Sequence, residues 1–244
     1  MRTQPPRYVF EADRLAYWYL RLNGFLTIEN FILHDELGPQ QRTDIDLMAL
    51  RLPHHREAAR DYGDQLKWMT DEPRFAEKVV PFGAFVEVTN GPCKLNGPWT
   101  DPNKGNMPRA IRAFGALSSL EIEAAGASLY ATGMYLSRNK DFELGLISIG
   151  IEENHDLRTQ MPQAMQITFG EIWAFIFHRF ATYQVIKRER PQWDFDGHLL
   201  WDAFMASNGD EGAFASTFVL VDRIERPDQF EELRQRRLYP RRAR

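Results

Sequence analysis

The sequence predicts an α/β protein with a mixed central sheet flanked by helices. Residues 12–23 have apolar side chains at helical spacing, whereas residues 44–52 are apolar at successive positions. A strand that is apolar on both faces is typical of the centre of a sheet covered on both sides. The predicted order of a helix, three strands, a helix, further strands and further helices favours one α/β domain over residues 1–244.

Each predicted element depends on a local signal. The first helix ends at Asn23-Gly24, which tolerates a left-handed backbone, and the third strand ends before Asn90-Gly91-Pro92. Residues 53–78 are polar and predict a loop or lid with a short helix, and residues 214–224 predict a strand or extended packing. Strands are predicted at 26–34, 44–52, 84–89, 129–136 and 144–151, and helices at 12–23, 107–123, 170–190, 198–207 and 228–237.

The charge of the chain limits how it could meet a nucleic acid. The formal net charge is -4, so any surface that binds nucleic acid must be local. Positive charge is concentrated at the C-terminus, which is either a solvated helix end or a tail that contacts phosphates. Six arginines lie there: Arg234, Arg236, Arg237, Arg241, Arg242 and Arg244.

The cysteine content and the apolar segments predict a cytoplasmic location. The single cysteine, Cys93, cannot form a disulfide within the chain and is interpreted as a structural residue in a reducing compartment. No signal peptide is evident at the N-terminus, and no stretch approaches eighteen apolar residues. We therefore expect no membrane partner.

Acidic residues lie inside two predicted strands, where burial should make them rare. Asp44 and Asp46 belong to the segment TDIDLMAL, and Glu87 belongs to AFVEVT. A buried carboxylate is costly unless something pairs with it, and a divalent cation is a suitable partner. Hard oxygen ligands suit Mg²⁺ or Mn²⁺. If the two strands are neighbours in a suitable register, one acid from each could meet at a single metal ion.

The order of helix, Gly24-Phe25, strand, TDIDLMAL, strand and FVEVT resembles the PD-(D/E)xK nuclease superfamily, which includes archaeal Holliday-junction resolvases and many restriction enzymes. The resemblance covers roughly residues 12–100. It implies a restriction-endonuclease-like fold with a nuclease-like core at about 12–150, followed here by a helical C-terminal extension at about 165–244. It also implies DNA as the partner and, since such proteins commonly dimerise, a homodimer.

The resemblance implies roles for particular residues. Asp46 matches the aspartate of the motif and Glu87 its second acid, so both are expected to hold the metal and to serve catalysis. Glu29 matches loosely the additional N-terminal acid of some members, as a third metal ligand. Thr89 stands where the family has a lysine that activates water and stabilises charge on the phosphate. Lys94 could replace that lysine, or it could be an ordinary loop residue.

Two functions therefore remain open. The first is a metal-dependent nuclease that hydrolyses phosphodiester bonds in DNA with Mg²⁺ or Mn²⁺. The alternative, supported by Thr89, is a catalytically impaired protein of the same fold that binds nucleic acid or protein; a third reading is an α/β protein outside this superfamily. The sequence contains no GxxxxGK[ST], GxSxG or HExxH motif, which disfavours ATP hydrolysis, serine-hydrolase chemistry and zinc-protease chemistry.

Overall fold

The structure of the protein, a computed structural model, describes residues 8–34, 41–60, 66–184 and 191–222. The strands in these ranges are β1 (Tyr8–Glu11), β2 (Phe25–His34), β3 (Gln41–Arg51), β4 (Ala58–Arg60), β5 (Leu66–Trp68), β6 (Phe82–Val88), β7 (Met134–Leu136), β8 (Glu143–Gly150), β9 (Met165–Thr168) and β10 (Phe218–Val221). The helices are α1 (Ala12–Leu22), α2 (Pro73–Ala76), α3 (Gly97–Thr100), α4 (Asn106–Phe114), α5 (Ile122–Thr132), α6 (His155–Gln160), α7 (Phe169–Tyr183), α8 (Phe195–Ala206) and α9 (Glu211–Ser216).

A six-stranded mixed sheet organises the described part of the chain. Its order is β2-β3-β6-β8, and both β7 and β9 pair with β8 on the side away from β6. Strands β2, β3 and β6 form an antiparallel series, whereas β8 runs parallel to β6. The predicted class, an α/β fold with a mixed sheet, is confirmed. The parallel pair requires a long crossover, which α3, α4 and α5 supply.

Helices cover both faces of this sheet, so two apolar clusters form. One cluster packs α1, α7, α8 and α9 against side chains such as Leu47 and Val86. The other packs α4 and α5 against side chains such as Met48 and Phe85. Strands β6 and β8 are buried along almost their whole length, because they lie between the two helical layers. The parallel pair of β1 and β10 joins the two ends of the described chain.

Two predicted elements between residues 107 and 136 were wrong. The single helix predicted at 107–123 is two helices, because Gly115 adopts a left-handed backbone with φ 76° and ends α4. The strand predicted at 129–136 is mostly the end of α5, and only Met134–Leu136 is extended. Gly126 explains why a helix fits here: a Cβ at this position would lie 2.8 Å from Cγ of Pro108, so α5 packs closely on α4.

The remaining segments match the expectations in part. Residues 53–78 contain the short strands β4 and β5 as well as the short helix α2. Residues 214–224 begin as the end of helix α9, whose N-cap is Asp210, before the chain enters β10. The helix predicted at 228–237, the end of the helix at 170–190 and the C-terminal arginines lie outside the described residues. None of the helices in the described ranges is long and apolar enough to cross a bilayer.

A buried ion network connects β3 to α7 through the segment before α2. The Asp71 carboxylate accepts hydrogen bonds from Arg51 at 2.6 Å and from Arg179 at 2.8 Å. Arg51 is 2% exposed, Arg179 3% and Asp71 7%. Arg51 also donates to the carbonyl oxygens of Asn23 and Phe75, both at 2.9 Å. One carboxylate therefore compensates two buried guanidinium groups, so the packing of three segments depends on it.

Candidate active site

The candidate site lies where β3 and β6 separate. The last paired residues of these strands are Leu47 and Val86, and Asp46 and Glu87 are the next residue on each strand. The Asp46 carboxylate accepts a hydrogen bond from the backbone N–H of Val88 at 2.8 Å. The Asp46 carboxylate thus replaces the backbone carbonyl group that β3 would offer to Val88 if the pairing of the two strands continued. This hydrogen bond fixes Asp46 beside Glu87.

Strand β3 also reverses its faces at Asp46, opposite Asn30 of β2, next to the point where β3 and β6 separate. Asn30 has a left-handed backbone, with φ 55°, and no pairing forms between Asn30 and Asp46 although β2 and β3 pair on both sides of them. Leu47 contributes to the cluster under α1 and α7, whereas Ile45 contributes to the cluster under α4 and α5. Residues two apart in a regular strand share a face, so the strand reverses its faces at Asp46.

Glu87 is a strongly perturbed acid of the site. Its side chain is 5% exposed, Oε1 accepts a hydrogen bond from the Asn96 amide at 3.0 Å, and Oε2 has no hydrogen-bond partner among the described residues. Burial and the nearby charges of Asp46 and Asp44 together raise the pKa of Glu87 to about 8, against the opposing hydrogen bonds from the backbone and the side chain of Asn96. Without a cation, this carboxyl group therefore keeps its proton near neutral pH.

The raised pKa of Glu87 gives an expected pH dependence of stability. Between the ordinary pKa of 4.5 and about 8, the unfolded chain releases this proton and the folded chain retains it. The free energy of unfolding should therefore fall as the pH rises through this range, by up to about 5 kcal/mol. In the variant Glu87→Gln, the free energy of unfolding should decrease much less over the same pH range. Urea titrations of both proteins between pH 5 and pH 9 would measure this difference. Equal slopes in the two proteins would contradict a raised pKa.

Asp46 and Glu87 open onto one cavity of about 510 Å³. Its lining is mainly polar, and acidic side chains from α1 and from the residue after β10 also reach it. The lining residues are Asp13, Ile32, Gln41, Asp44, Asp46, Glu87, Val88, Asn96 and Asp222. The structure thus brings the two acids of the predicted metal site to the same space, with Asp44 beside them.

Glu29 is placed elsewhere. Both of its carboxylate oxygens accept hydrogen bonds from Arg14 at 2.6 Å, and it does not line the cavity. Arg14 also pairs with Asp194 and Asp196 at the start of α8. Burial lowers the pKa of Arg14, but hydrogen bonds and charges from Glu29 and Asp196 outweigh this and raise it overall. Glu29 therefore serves an ion cluster between α1, β2 and α8, and the structure does not bring it to Asp46 and Glu87.

The two residues considered for the lysine role also lie outside the lining of the cavity. Thr89 is half-buried, and its hydroxyl oxygen accepts a hydrogen bond from the N–H of Gly91 at 3.3 Å. Lys94 has an exposed side chain, and its backbone carbonyl accepts from Ser148 Oγ at 2.8 Å. Cys93 is fully buried in the same loop, as expected for a structural residue. No lysine or arginine of the described residues lines the cavity.

The donor set limits the kind of metal ion that the site could hold. In the described part of the chain, no group of three or more His, Cys, Asp or Glu side chains is close enough to hold a metal. This composition does not fit a zinc centre or a calcium cage. Mg²⁺, however, commonly binds through one or two carboxylates together with water and substrate phosphate. Asp46 and Glu87, with the unpartnered Oε2, fit an ion of that kind.

Sequence reasoning missed several residues of the cavity. Asn96 is the most important, because it contacts Glu87 directly. It lies in a loop rich in Gly, Pro and Asn, where one more polar residue carries no signal. Asp13 and Asp222 come from α1 and from the residue after β10, and only the tertiary fold brings them near.

Comparisons with protein-family models, with curated proteins and with solved structures find no match to the chain. What the site can do therefore follows from its own residues.

Proposed function

We propose that this protein is a metal-dependent nuclease of restriction-endonuclease-like fold that hydrolyses phosphodiester bonds in DNA with Mg²⁺ or Mn²⁺. One observation carries the proposal. Asp46 and Glu87, on neighbouring strands, reach the same cavity, and one buried oxygen of Glu87 has no partner in the described chain. A buried carboxylate oxygen that has no hydrogen-bond partner or counter-charge is well suited to bind a divalent cation.

The chain order supports the proposal as well. Helix α1 precedes three antiparallel strands, and a helical crossover then leads to the parallel strand β8. The aspartate before an apolar run lies on β3 and the second acid lies on β6, which pairs with β3. These are the positions that the resemblance to PD-(D/E)xK nucleases assigns to metal ligands.

The residues of the site would act in different ways. Asp46 and Glu87 would hold the cation, and the Val88 N–H fixes the carboxylate of Asp46. A divalent cation bound there would lower the pKa of a water molecule and would stabilise the negative charge that develops on the phosphate. Asn96 orients Glu87 through Oε1. DNA is the proposed substrate, and its phosphates would complete the coordination of the ion.

A second candidate function is a catalytically impaired module that binds nucleic acid or protein. A specific observation favours it: Thr89 replaces the lysine of the motif, and Lys94 does not line the cavity. Such a protein would still bind a divalent cation through Asp46 and Glu87 but would cleave slowly or not at all.

Cleavage assays test the first function directly. Wild-type protein, incubated with linear, branched and single-stranded DNA, should produce cleavage that requires Mg²⁺ or Mn²⁺ and stops when EDTA is added. Glu87→Ala should lower the rate at least about 100-fold, because the cation loses one of its two carboxylates. Glu77→Ala, which removes an exposed acid away from the cavity, is the matched control. Metal-independent cleavage, or equal rates in wild type and Glu87→Ala, would contradict the proposed nuclease.

A further inference from the structure

The loop between β6 and α3 is fixed on one side by strand β8 and the residues that follow it. Gly150 allows the two segments to approach closely, since a Cβ there would lie 2.6 Å from the Gly91 carbonyl oxygen. Hydrogen bonds that join the segments include Thr89 N to Ile149 O at 3.0 Å, and Ile151 N to Gly91 O, Cys93 N to Glu152 O and Ser148 Oγ to Lys94 O, each at 2.8 Å. The backbone just before Asn96 is therefore held in place.

The loop is also fixed on its other side, by helix α3. Trp99 is 3% exposed and its ring stacks on Phe85 of β6, with the ring centroids 6.4 Å apart. The Asn106 amide donates to the carbonyl oxygen of Pro98 at 3.0 Å. Asn96 lies between these two anchored stretches, so its amide is presented to Glu87 by a backbone with little freedom to move.

We infer that Asn96 is a positioning residue for the proposed cation site, because its amide occupies Oε1 of Glu87 and leaves Oε2 for the ion. This inference rests on the proposed function, in that it concerns the cation which Asp46 and Glu87 would share. Hydrogen bonds to a ligating carboxylate set its orientation, and their loss commonly weakens metal binding 10- to 100-fold. Here the bond fixes one of the two oxygens of Glu87, so its loss would free the carboxyl group to rotate.

Asn96 also stands at the N-cap position of α3, where its side chain makes no capping hydrogen bond and instead contacts Glu87. Serine is as favourable as asparagine at an N-cap, but its hydroxyl is too short to keep the 3.0 Å contact with Oε1. Asn96→Ser and Asn96→Ala therefore both remove the side-chain contact with Glu87, and Asn96→Ser keeps a residue type that is favourable at the start of a helix. Asn103→Ala is the matched control, because Asn103 is exposed and its side chain bonds only to Asp101 among the described residues.

The experiment measures binding of Mn²⁺ alone, from the electron paramagnetic resonance signal of the free ion, to the full chain and each variant. Asn96→Ser and Asn96→Ala should each raise the dissociation constant about 10-fold or more, with thermal unfolding of Asn96→Ser close to that of wild type. Asn103→Ala should bind as wild type does. In cleavage assays, the Mn²⁺ concentration for half-maximal rate should rise in both Asn96 variants, while the rate at saturating Mn²⁺ changes less.

The outcomes distinguish the inference from the function on which it rests. If wild type binds Mn²⁺, Glu87→Gln does not, and both Asn96 variants bind like wild type, then Asn96 does not position the ligand although the cation site exists. If wild type binds no Mn²⁺, or Glu87→Gln binds as well as wild type, both the proposed cation site and this role of Asn96 are overturned.

Discussion

Asp71→Ala is expected to destabilise the protein by about 3–5 kcal/mol, the largest stability effect that we expect from a single substitution. The carboxylate is the acceptor for both Arg51 and Arg179, and it lies 3.2 Å from Nδ1 of His55. Its removal leaves two guanidinium groups that are almost completely buried without their shared counter-charge. Urea unfolding at pH 7 measures the loss, as a lower midpoint at an unchanged slope.

A surface ion pair provides the control for Asp71. Glu123 is an exposed acid 3.9 Å from Arg112, so Glu123→Ala should cost less than about 0.5 kcal/mol.

Burial alone raises the pKa of Asp71, but hydrogen bonds from Arg179, Arg51 and His55 lower it overall. The stabilisation by Asp71 should therefore persist at neutral pH and be lost only as the pH falls through its lowered pKa. A cost below 1 kcal/mol for Asp71→Ala would contradict the dependence of the two arginines on this carboxylate.

Thr89→Lys is expected to increase Mg²⁺-dependent cleavage on the order of 100-fold, the largest gain of activity that we expect. Thr89 is the first residue after β6, and its N–H donates to the carbonyl oxygen of Ile149 at 3.0 Å, so the pairing with β8 continues to this position. Side chains two apart on such an extended backbone project to the same side, so a longer side chain at residue 89 would extend toward Glu87 and the cavity that Thr89 does not line. Among the described residues, no lysine or arginine lines the cavity. A lysine at position 89 would supply a positive charge close to the negative charge that develops on the phosphate during cleavage. One well-placed donor to such a charge is worth about 100- to 1,000-fold in rate. Initial rates on the best DNA substrate would measure the gain.

Lys94→Ala is the companion to this variant. The Lys94 side chain is exposed and lies outside the lining of the cavity, so its removal should leave the cleavage rate within about twofold of wild type. A large decrease in the cleavage rate would instead indicate that Lys94 takes the role of the lysine in the motif. If Thr89→Lys binds Mn²⁺ but does not cleave, the impaired binding module becomes the better account of the protein.

Strong and continuous sequence signals predicted the elements best. Strands β2, β3, β6 and β8 and helix α1 were predicted within about three residues, because each combines a clear apolar pattern with a turn or helix-ending signal. The failure at 129–136 has the opposite cause. The segment from Ile122 to Thr132 mixes small and apolar residues without a clear period, and its packing on α4 selects the helix.

The sequence singled out Asp44, Asp46 and Glu87, since a carboxylate within an apolar strand is costly wherever the strand lies. The resemblance to PD-(D/E)xK nucleases then selected Asp46 and Glu87 as the pair. Three features of the site could not be read from the sequence. The reversal of faces at Asn30 depends on a single left-handed residue, the contact of Asn96 depends on how a loop docks against β8, and the binding of Glu29 by Arg14 depends on how α1 packs beside β2.

By itself, the sequence determined the α/β class, the central position of β3 and the presence of acids within two buried strands, because hydrophobic periodicity and the cost of burying charge are local properties of the chain. The tertiary structure decided which acids share a cavity, which of them is instead neutralised by an arginine, and which amide holds Glu87. These outcomes depend on strand register and on contacts between residues that are distant in sequence, and such contacts form only when the whole sheet and its helical layers pack together.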